Sequence, residues 1–204
     1  MYPALKRVLD FSVAVLATVV LAPLLAAIAL LVFLKLGAPI FYRQKRPGLN
    51  GKPFELIKFR SMLEAYDETE TPLPNEQRVT HFGQVLRSLS LDELPELWNI
   101  IKGDMSMVGP RPLLTDYLPL YNERQARRHE VKPGLTGWGQ INGRNSISWE
   151  EKFELDIWYV DNASLWLDLK IIFMTLFKVI RREGISHGGN VSMPRFRGSG
   201  SENR

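Results

Sequence analysis

The chain is 204 residues long with a formal net charge of +4, enough for one catalytic-size domain or a small domain plus an appendage. It has no cysteine, which excludes disulfides, thiol catalysis and cysteine-held metals. Its three histidines (His81, His129, His187) show no His-x-x-x-His spacing, so a histidine-held zinc is disfavoured while hard oxygen ligands and Mg²⁺ stay open.

From Phe11 to Leu34 no side chain is charged. That run of roughly 24 residues is about 36 Å long as a straight helix, enough to cross a bilayer core. It is too long for a signal peptide and lacks a convincing cleavage motif. Pro23 sits mid-run, where it removes the bond to the Val19 carbonyl and bends the helix. Lys6 and Arg7 precede the run, and Lys35, Arg43, Lys45 and Arg46 follow it, so the positive-inside rule gives no direction. Two readings stay open: a spanning helix, and a re-entrant hairpin with both ends on one side.

Pro39–Tyr42 and Phe54–Phe59 read as strands around the turn-rich Arg46–Pro53, which predicts a small β-hairpin. Tyr66–Asn75, with Pro72 and Pro74, reads as an exposed loop. Helices are predicted over Val79–Leu89, over Asp92–Lys102 up to Gly103, and over Leu113–Arg128 with an interruption near Pro119. Ser148 with Glu151 spells a capping box opening a helix to about Tyr159. In Ser164–Arg182, Asp168, Thr175, Lys178 and Arg182 share one narrow helical face and apolar residues cover much of the rest. Such a helix belongs in a core or, with tryptophan and basic residues at headgroup level, on a membrane surface. The Gly- and Ser-rich end reads as flexible. There is no internal repeat and no Walker or dinucleotide-binding glycine loop.

The stretch carrying most chemistry is Arg87-Ser-Leu-Ser-Leu-Asp92-Glu93-Leu-Pro-Glu-Leu97. Ser90 and Glu93 spell a capping box; with Pro95 in the first turn, the helix could equally start with Asp92 as N-cap. Either start puts two carboxylates where free backbone N–H groups would attract phosphate. Both are also ordinary helix-start residues. Clusters such as Arg43/Lys45/Arg46, Arg124/Arg127/Arg128 and Lys178/Arg181/Arg182 suit phosphates or an anionic surface, or a solvated face. Together with a membrane-grade segment, these features point to work on a phosphorylated substrate at a bilayer. Carboxylates there can hold Mg²⁺ beside phosphate oxygens, or an aspartate can attack phosphorus.

Five motifs in order resemble the bacterial sugar transferase family, the monotopic polyprenyl-phosphate phosphoglycosyl transferases. They are Arg43-x-x-Arg46-Pro-Gly, Lys58-Phe-Arg-Ser-Met62, Ser88–Asn99, Lys102–Pro112 and Lys132–Asn145, and the resemblance runs from about Lys6 to Val191. It implies an α+β, mainly helical fold, with a re-entrant membrane helix over residues 1–36 bent at Pro23 and a catalytic domain over 37–190 with a small β-hairpin and amphipathic interfacial helices. A flexible tail over 191–204 completes the expected layout. The implied reaction moves a sugar-1-phosphate from a UDP-sugar to undecaprenyl phosphate, releasing UMP through a covalent phosphosugar-Asp92 intermediate with Mg²⁺. It would run at the cytoplasmic face of the bacterial inner membrane, among membrane lipids.

By the same resemblance Asp92 is the nucleophile, and Glu93 helps with metal or with deprotonating the lipid phosphate. Arg87, Arg111 and Arg144 contact phosphate, with Lys58 close by. Asp156 and Asp168 fall on acidic positions the family carries, or make packing salt bridges to residues such as Lys152 or Lys170. Where the family's best-known member has Ser-Pro at the bend, this chain has Ala22-Pro23, so another group, such as Thr18 or interfacial water, must serve the freed carbonyl. Rival readings are an inverting glycosyltransferase on a lipid carrier, which releases UDP, and a non-enzymatic membrane scaffold. A nucleic-acid module is the weakest, since no reading motif accompanies the basic residues. The sugar, the pathway and the oligomeric state are not legible.

Overall fold

Two helices meeting at an angle begin the chain. In the computed structural model, which describes residues 2–65, 67, 69, 71, 73–143, 147–181 and 195–198, α1 (Tyr2–Val20) and α2 (Ala22–Leu36) are bent by 65° around Leu21. Pro23 lies in the first turn of α2, where its absent N–H would have gone unbonded in any case. The Thr18 hydroxyl does not serve the Val19 carbonyl; it donates to Ala14 O at 2.7 Å, a back-bond of the kind that bends helices. Among the described residues no single helix is long and apolar enough to cross a membrane, although the bent pair passes that test together.

The expected hairpin forms from β1 (Phe41–Pro47) and β2 (Pro53–Phe59), antiparallel, with Tyr42 opposite Lys58 and Arg46 opposite Phe54. A short α3 (Asn75–Arg78) precedes α4 (His81–Ser88), which is capped by the Thr80 hydroxyl accepting from Gly83 N at 3.1 Å. Then come α5 (Glu96–Lys102), closed by Gly103 in the left-handed region, and β3 (Ser106–Val108). The helix predicted over Leu113–Arg128 is instead three short turns: Thr115–Leu120 and Arg127–His129 are 3₁₀, and α6 (Glu123–Ala126) lies between. Pro119 prevents continuation, and Asn122 starts afresh with a capping box to Gln125. Next are β4 (Gly134–Thr136), α7 (Trp138–Asn142), α8 (Trp149–Asn162) with its expected Ser148–Glu151 capping box, and α9 (Leu165–Arg181).

The parallel pairing of β3 with β4 was not signalled in the sequence. Glycines make it possible: a Cβ on Gly134 would lie 2.0 Å from the Gly109 nitrogen, closer than any real contact. Gly134→Ala should therefore destabilise by about 3 kcal/mol or more, the scale of overpacking. Because Gly109 leads into Arg111, the variant should lose activity at temperatures where it remains folded; thermal melting with an activity assay checks both.

α1 is bound into the domain by its own charges. Arg7 donates to the Ile100 and Ile101 carbonyls at 2.6 and 2.8 Å, satisfying the open end of α5. Lys6 pairs with Asp168 of α9 at 2.6 Å, and Asp10 accepts from Met107 N of β3 at 3.2 Å. Ala14 joins Leu56, Leu97, Ile100 and Met105 in one core cluster. α2 buries Ile28 and Val32 against Phe59 and Leu86, and the buried Arg60 guanidinium donates to the Leu36, Gly37 and Ala38 carbonyls at its end.

On α9 the polar stripe faces inward. Asp168 is buried, the Thr175 hydroxyl lies 2.7 Å from that of Thr136, and Lys178 donates to the Ile141 carbonyl. Leu167 and Ile171 are buried on that same inner side, while other apolar residues face out, Trp166 being 79% exposed and Phe173 70%. Of the tail expected to be flexible, residues 195–198 dock. Phe196 is buried against Tyr117, Tyr121, Trp149 and Phe153, and Arg195 pairs with Asp116 at 3.3 Å. One aromatic ring burying its area is enough to seat so short a segment.

Candidate active site

The capping box expected at Ser90 and Glu93 does not form. Ser90 takes a left-handed conformation (φ 55°), Leu91–Glu93 is a 3₁₀ turn, and α5 begins only at Glu96, without a side-chain cap from Ser90 or Asp92. Glu93 is drawn elsewhere: its Oε1 accepts from Lys58 Nζ at 2.6 Å and from Arg111 Nη2 at 2.5 Å, and Oε2 accepts from Arg111 Nη1 at 3.3 Å. Two charge-assisted partners outweigh one cap hydrogen bond.

Asp92 is placed differently. It is 8% exposed, and among the described residues its carboxylate takes part in no hydrogen bond or ion pair. Burial, and then the charge of Glu93, push its carboxyl above the ordinary value, against the pull of Lys58, Arg111 and Arg87. Burial also works to raise Glu93, but Arg111 and Lys58 overcome it and hold that carboxyl below the usual range. The two neighbouring acids are thus a free carboxylate and a clamped one.

A third acid, unmarked in the sequence, completes the group. Glu96 is 2% exposed, lies 3.0 Å from Lys58 Nζ, and is pushed up to about 7 by burial, with Glu93 adding to the rise and Lys58 opposing it. Lys58 is aimed at these acids by its strand. Asn99 of α5 accepts from Ile57 N at 3.1 Å and donates to Glu55 O at 2.7 Å, fixing β2 to the helix that follows Asp92. Lys152, also buried and also missed, is lowered to about 8, first by burial and then by Arg111. Burial of a lone Lys or Glu leaves no periodic trace in a sequence, so neither was legible.

The other expected residues divide by position. Lys58 and Arg111 meet at Glu93, and the charge of Arg87 bears on Asp92 from the end of α4. Asp156 is one link removed: it accepts from Arg128 Nη2 at 2.6 Å and Nε at 3.0 Å, with the charge of Lys152 bearing on it as well, and Arg128 in turn donates to the Arg111 carbonyl at 2.8 Å. Asp168 accepts from Lys6 and from the Tyr159 hydroxyl, tying α1 to α9 away from Asp92. Arg144 lies outside the described residues. Among the described residues no three acidic or histidine side chains converge as a metal cage. The free Asp92 oxygens and the weakly engaged Oε2 of Glu93 suit an ion such as Mg²⁺, which takes one or two carboxylates and completes its shell with water and phosphate oxygens.

The chain is 56% identical over 196 residues to the sugar transferase EpsL of Bacillus subtilis (strain 168), covering 96% of this chain and 97% of that one. It is 42% identical over 184 residues to the UDP-glucose:undecaprenyl-phosphate glucose-1-phosphate transferase of Escherichia coli (strain K12), covering 85% of this chain and 40% of the longer relative. To the UDP-galactose-lipid carrier transferase of Erwinia amylovora it is 39% identical over 197 residues, covering 88% of this chain and 41% of that one. The family model described as bacterial sugar transferase matches residues 1–182, so both acids, their cations and the bent helix pair lie within the match, and the chain belongs to the bacterial sugar transferase family.

Proposed function

We propose that this chain transfers a sugar-1-phosphate from a UDP-sugar to undecaprenyl phosphate, releasing UMP, by way of a phosphosugar acyl phosphate on Asp92. The observation that carries the reading is the inequality of the two acids: Asp92 is free and raised, Glu93 is clamped and lowered. A desolvated carboxylate without partners, ringed by Lys58, Arg87 and Arg111, is built to attack rather than to brace. An Asp92 oxygen bonds to the sugar-bearing phosphorus, the phosphoanhydride bond breaks, and its electron pair leaves on UMP. An oxygen of the lipid phosphate then attacks the same phosphorus, and the carboxylate is restored. Arg87 and Arg111 take the negative charge spreading over the phosphoryl oxygens.

Glu93, held below the ordinary range, is a weak base; its work is to orient Arg111 and Lys58 and to share a metal with Asp92. A Mg²⁺ ion bound by that pair would neutralise charge on the diphosphate. The lipid phosphate needs little help to ionise, since a phosphate monoester loses its second proton near pH 6.

The bare apolar faces of α1, α2 and α9 support a site at the bilayer surface. Besides the Leu167 and Ile171 that it buries, α9 turns Asp168, Thr175 and Lys178 inward and leaves Trp166 and Phe173 bare, so its outer face is apolar where a soluble surface helix is polar. The bent pair, held at its start by Lys6 and Arg7 and at its end by Arg60, has both ends on the domain, which favours a re-entrant hairpin; we place the domain on the cytoplasmic face. The relatives' names include both UDP-glucose and UDP-galactose, so the hexose is left open.

The test is to mix protein with UDP-sugar and no lipid acceptor. A stoichiometric burst of UMP, with a sugar-phosphate mass added to the peptide bearing Asp92, is the expected result. UDP as the nucleotide product, with no adduct, would identify the inverting glycosyltransferase instead.

A further inference from the structure

Arg46 stands apart from the other basic residues of the hairpin. In the β1–β2 register it is opposite Phe54, four pairs along from Tyr42 opposite Lys58, an even offset, so Arg46 and Lys58 lie on one face of the hairpin. That face carries Leu56 into the core beside α5, while Arg43 and Glu55 pair at 3.2 Å on the exposed opposite face. Arg46 is half-buried there, close enough to the site for the charges of Arg111 and Glu96 to bear on it.

Its guanidinium is unbalanced there. Arg111, Arg128 and Lys58 each have a carboxylate partner, and Arg7 and Arg60 have carbonyls. Arg46 donates from Nη2 to the neutral Gln44 Oε1 at 2.6 Å, while among the described residues its buried Nε has no hydrogen-bond partner and no carboxylate lies within ion-pair distance. Burial, then the like charge of Arg111, hold it below its ordinary value. A half-buried cation beside another cation, with a buried N–H unspent, gains when an anion arrives.

We infer that Arg46 is a seat for a substrate phosphate, beside Arg111. The inference rests on the phosphoryl-transfer reading for the identity of the anion, though not for its existence. Two substrates of that reaction carry this chemistry, the diphosphate of the nucleotide sugar and the phosphate of the lipid. An arginine that contacts one of them without touching the attacked phosphorus chiefly lowers the KM for that substrate.

The experiment uses the full-length protein in detergent or nanodiscs. Phenylglyoxal labelling is mapped by peptide mass spectrometry with and without saturating inorganic pyrophosphate; pyrophosphate should protect Arg46 and leave Arg43 labelled. In steady-state kinetics, Arg46→Gln should raise one substrate's KM at least about tenfold, the scale of a lost hydrogen bond to a charged group. Arg46→Lys should recover part of the loss. A rise in the nucleotide-sugar KM assigns the seat to the donor, and a rise confined to the lipid phosphate assigns it to the acceptor. Unchanged labelling under pyrophosphate, or both KM values unchanged in a folded Arg46→Gln variant, overturns the inference. The labelling needs no variant, so poor folding of Arg46→Gln leaves it decisive. Wild-type protein that shows protection yet releases no UMP would sink the reaction assigned above while leaving the seat in place.

Discussion

Asp92→Asn is expected to lower kcat by at least about 10³-fold while leaving the melting temperature within a degree or two of wild type, because an amide of nearly the same shape cannot attack phosphorus. The structure makes this substitution unusually clean. Asp92 caps no helix and takes no hydrogen bond or ion pair among the described residues, so the amide breaks nothing in the resting protein. It also removes a buried charge beside Glu93, which works against loss of stability. A burst assay for UMP and a thermal melt on the same preparation check the two halves. Substantial turnover by Asp92→Asn would mean that this carboxylate only shapes the field around Glu93. Loss of folding together with activity would mean that Asp92 has a structural partner.

Asp156→Ala is expected to act through stability. Arg128 is 2% exposed, and the substitution strands its charge in the interior; removing one member of a buried pair costs about 3–5 kcal/mol. For a chain of this size that is a fall of roughly 10 °C in melting temperature. Arg128 also lies over the rings of Tyr121 and Phe153 at 5.9 and 5.8 Å and donates to the Arg111 carbonyl, so activity should fall in step. Asp156→Leu with Arg128→Met together should recover much of the stability, since an apolar pair of similar volume leaves no buried charge unmatched. Should the double variant melt lower than the single, Arg128 contributes more by stacking and by holding Arg111 than by its ion pair.

Much of the fold was legible because it rests on local rules. Pro23 bends the N-terminal pair, Ser148 and Glu151 open α8, Gly103 closes α5, and alternating residues around a turn give the hairpin. Those rules failed where distant residues intervened. Ser90 and Glu93 spell a cap, yet Lys58, thirty-five positions away, and Arg111, eighteen away, take the glutamate. Lys6 and Arg7 read as flanks of an apolar segment and prove to be ties to α9 and α5. On α9 the periodicity was plain but the direction of its polar stripe was not, since that depends on Thr136, Ile141 and Lys6. At the site, the acid pair was visible from the sequence, whereas the difference between its two members arises only from where the cations lie.

One of those ties reaches further. Arg7 grips the last carbonyls of α5, and the first residues leading into α5 are the acids themselves. The apolar arm and the segment carrying Asp92 are therefore tied through one short helix. On the reading proposed above, a bilayer that received the arm would also set the height of Asp92, and with it the reach toward a substrate phosphate.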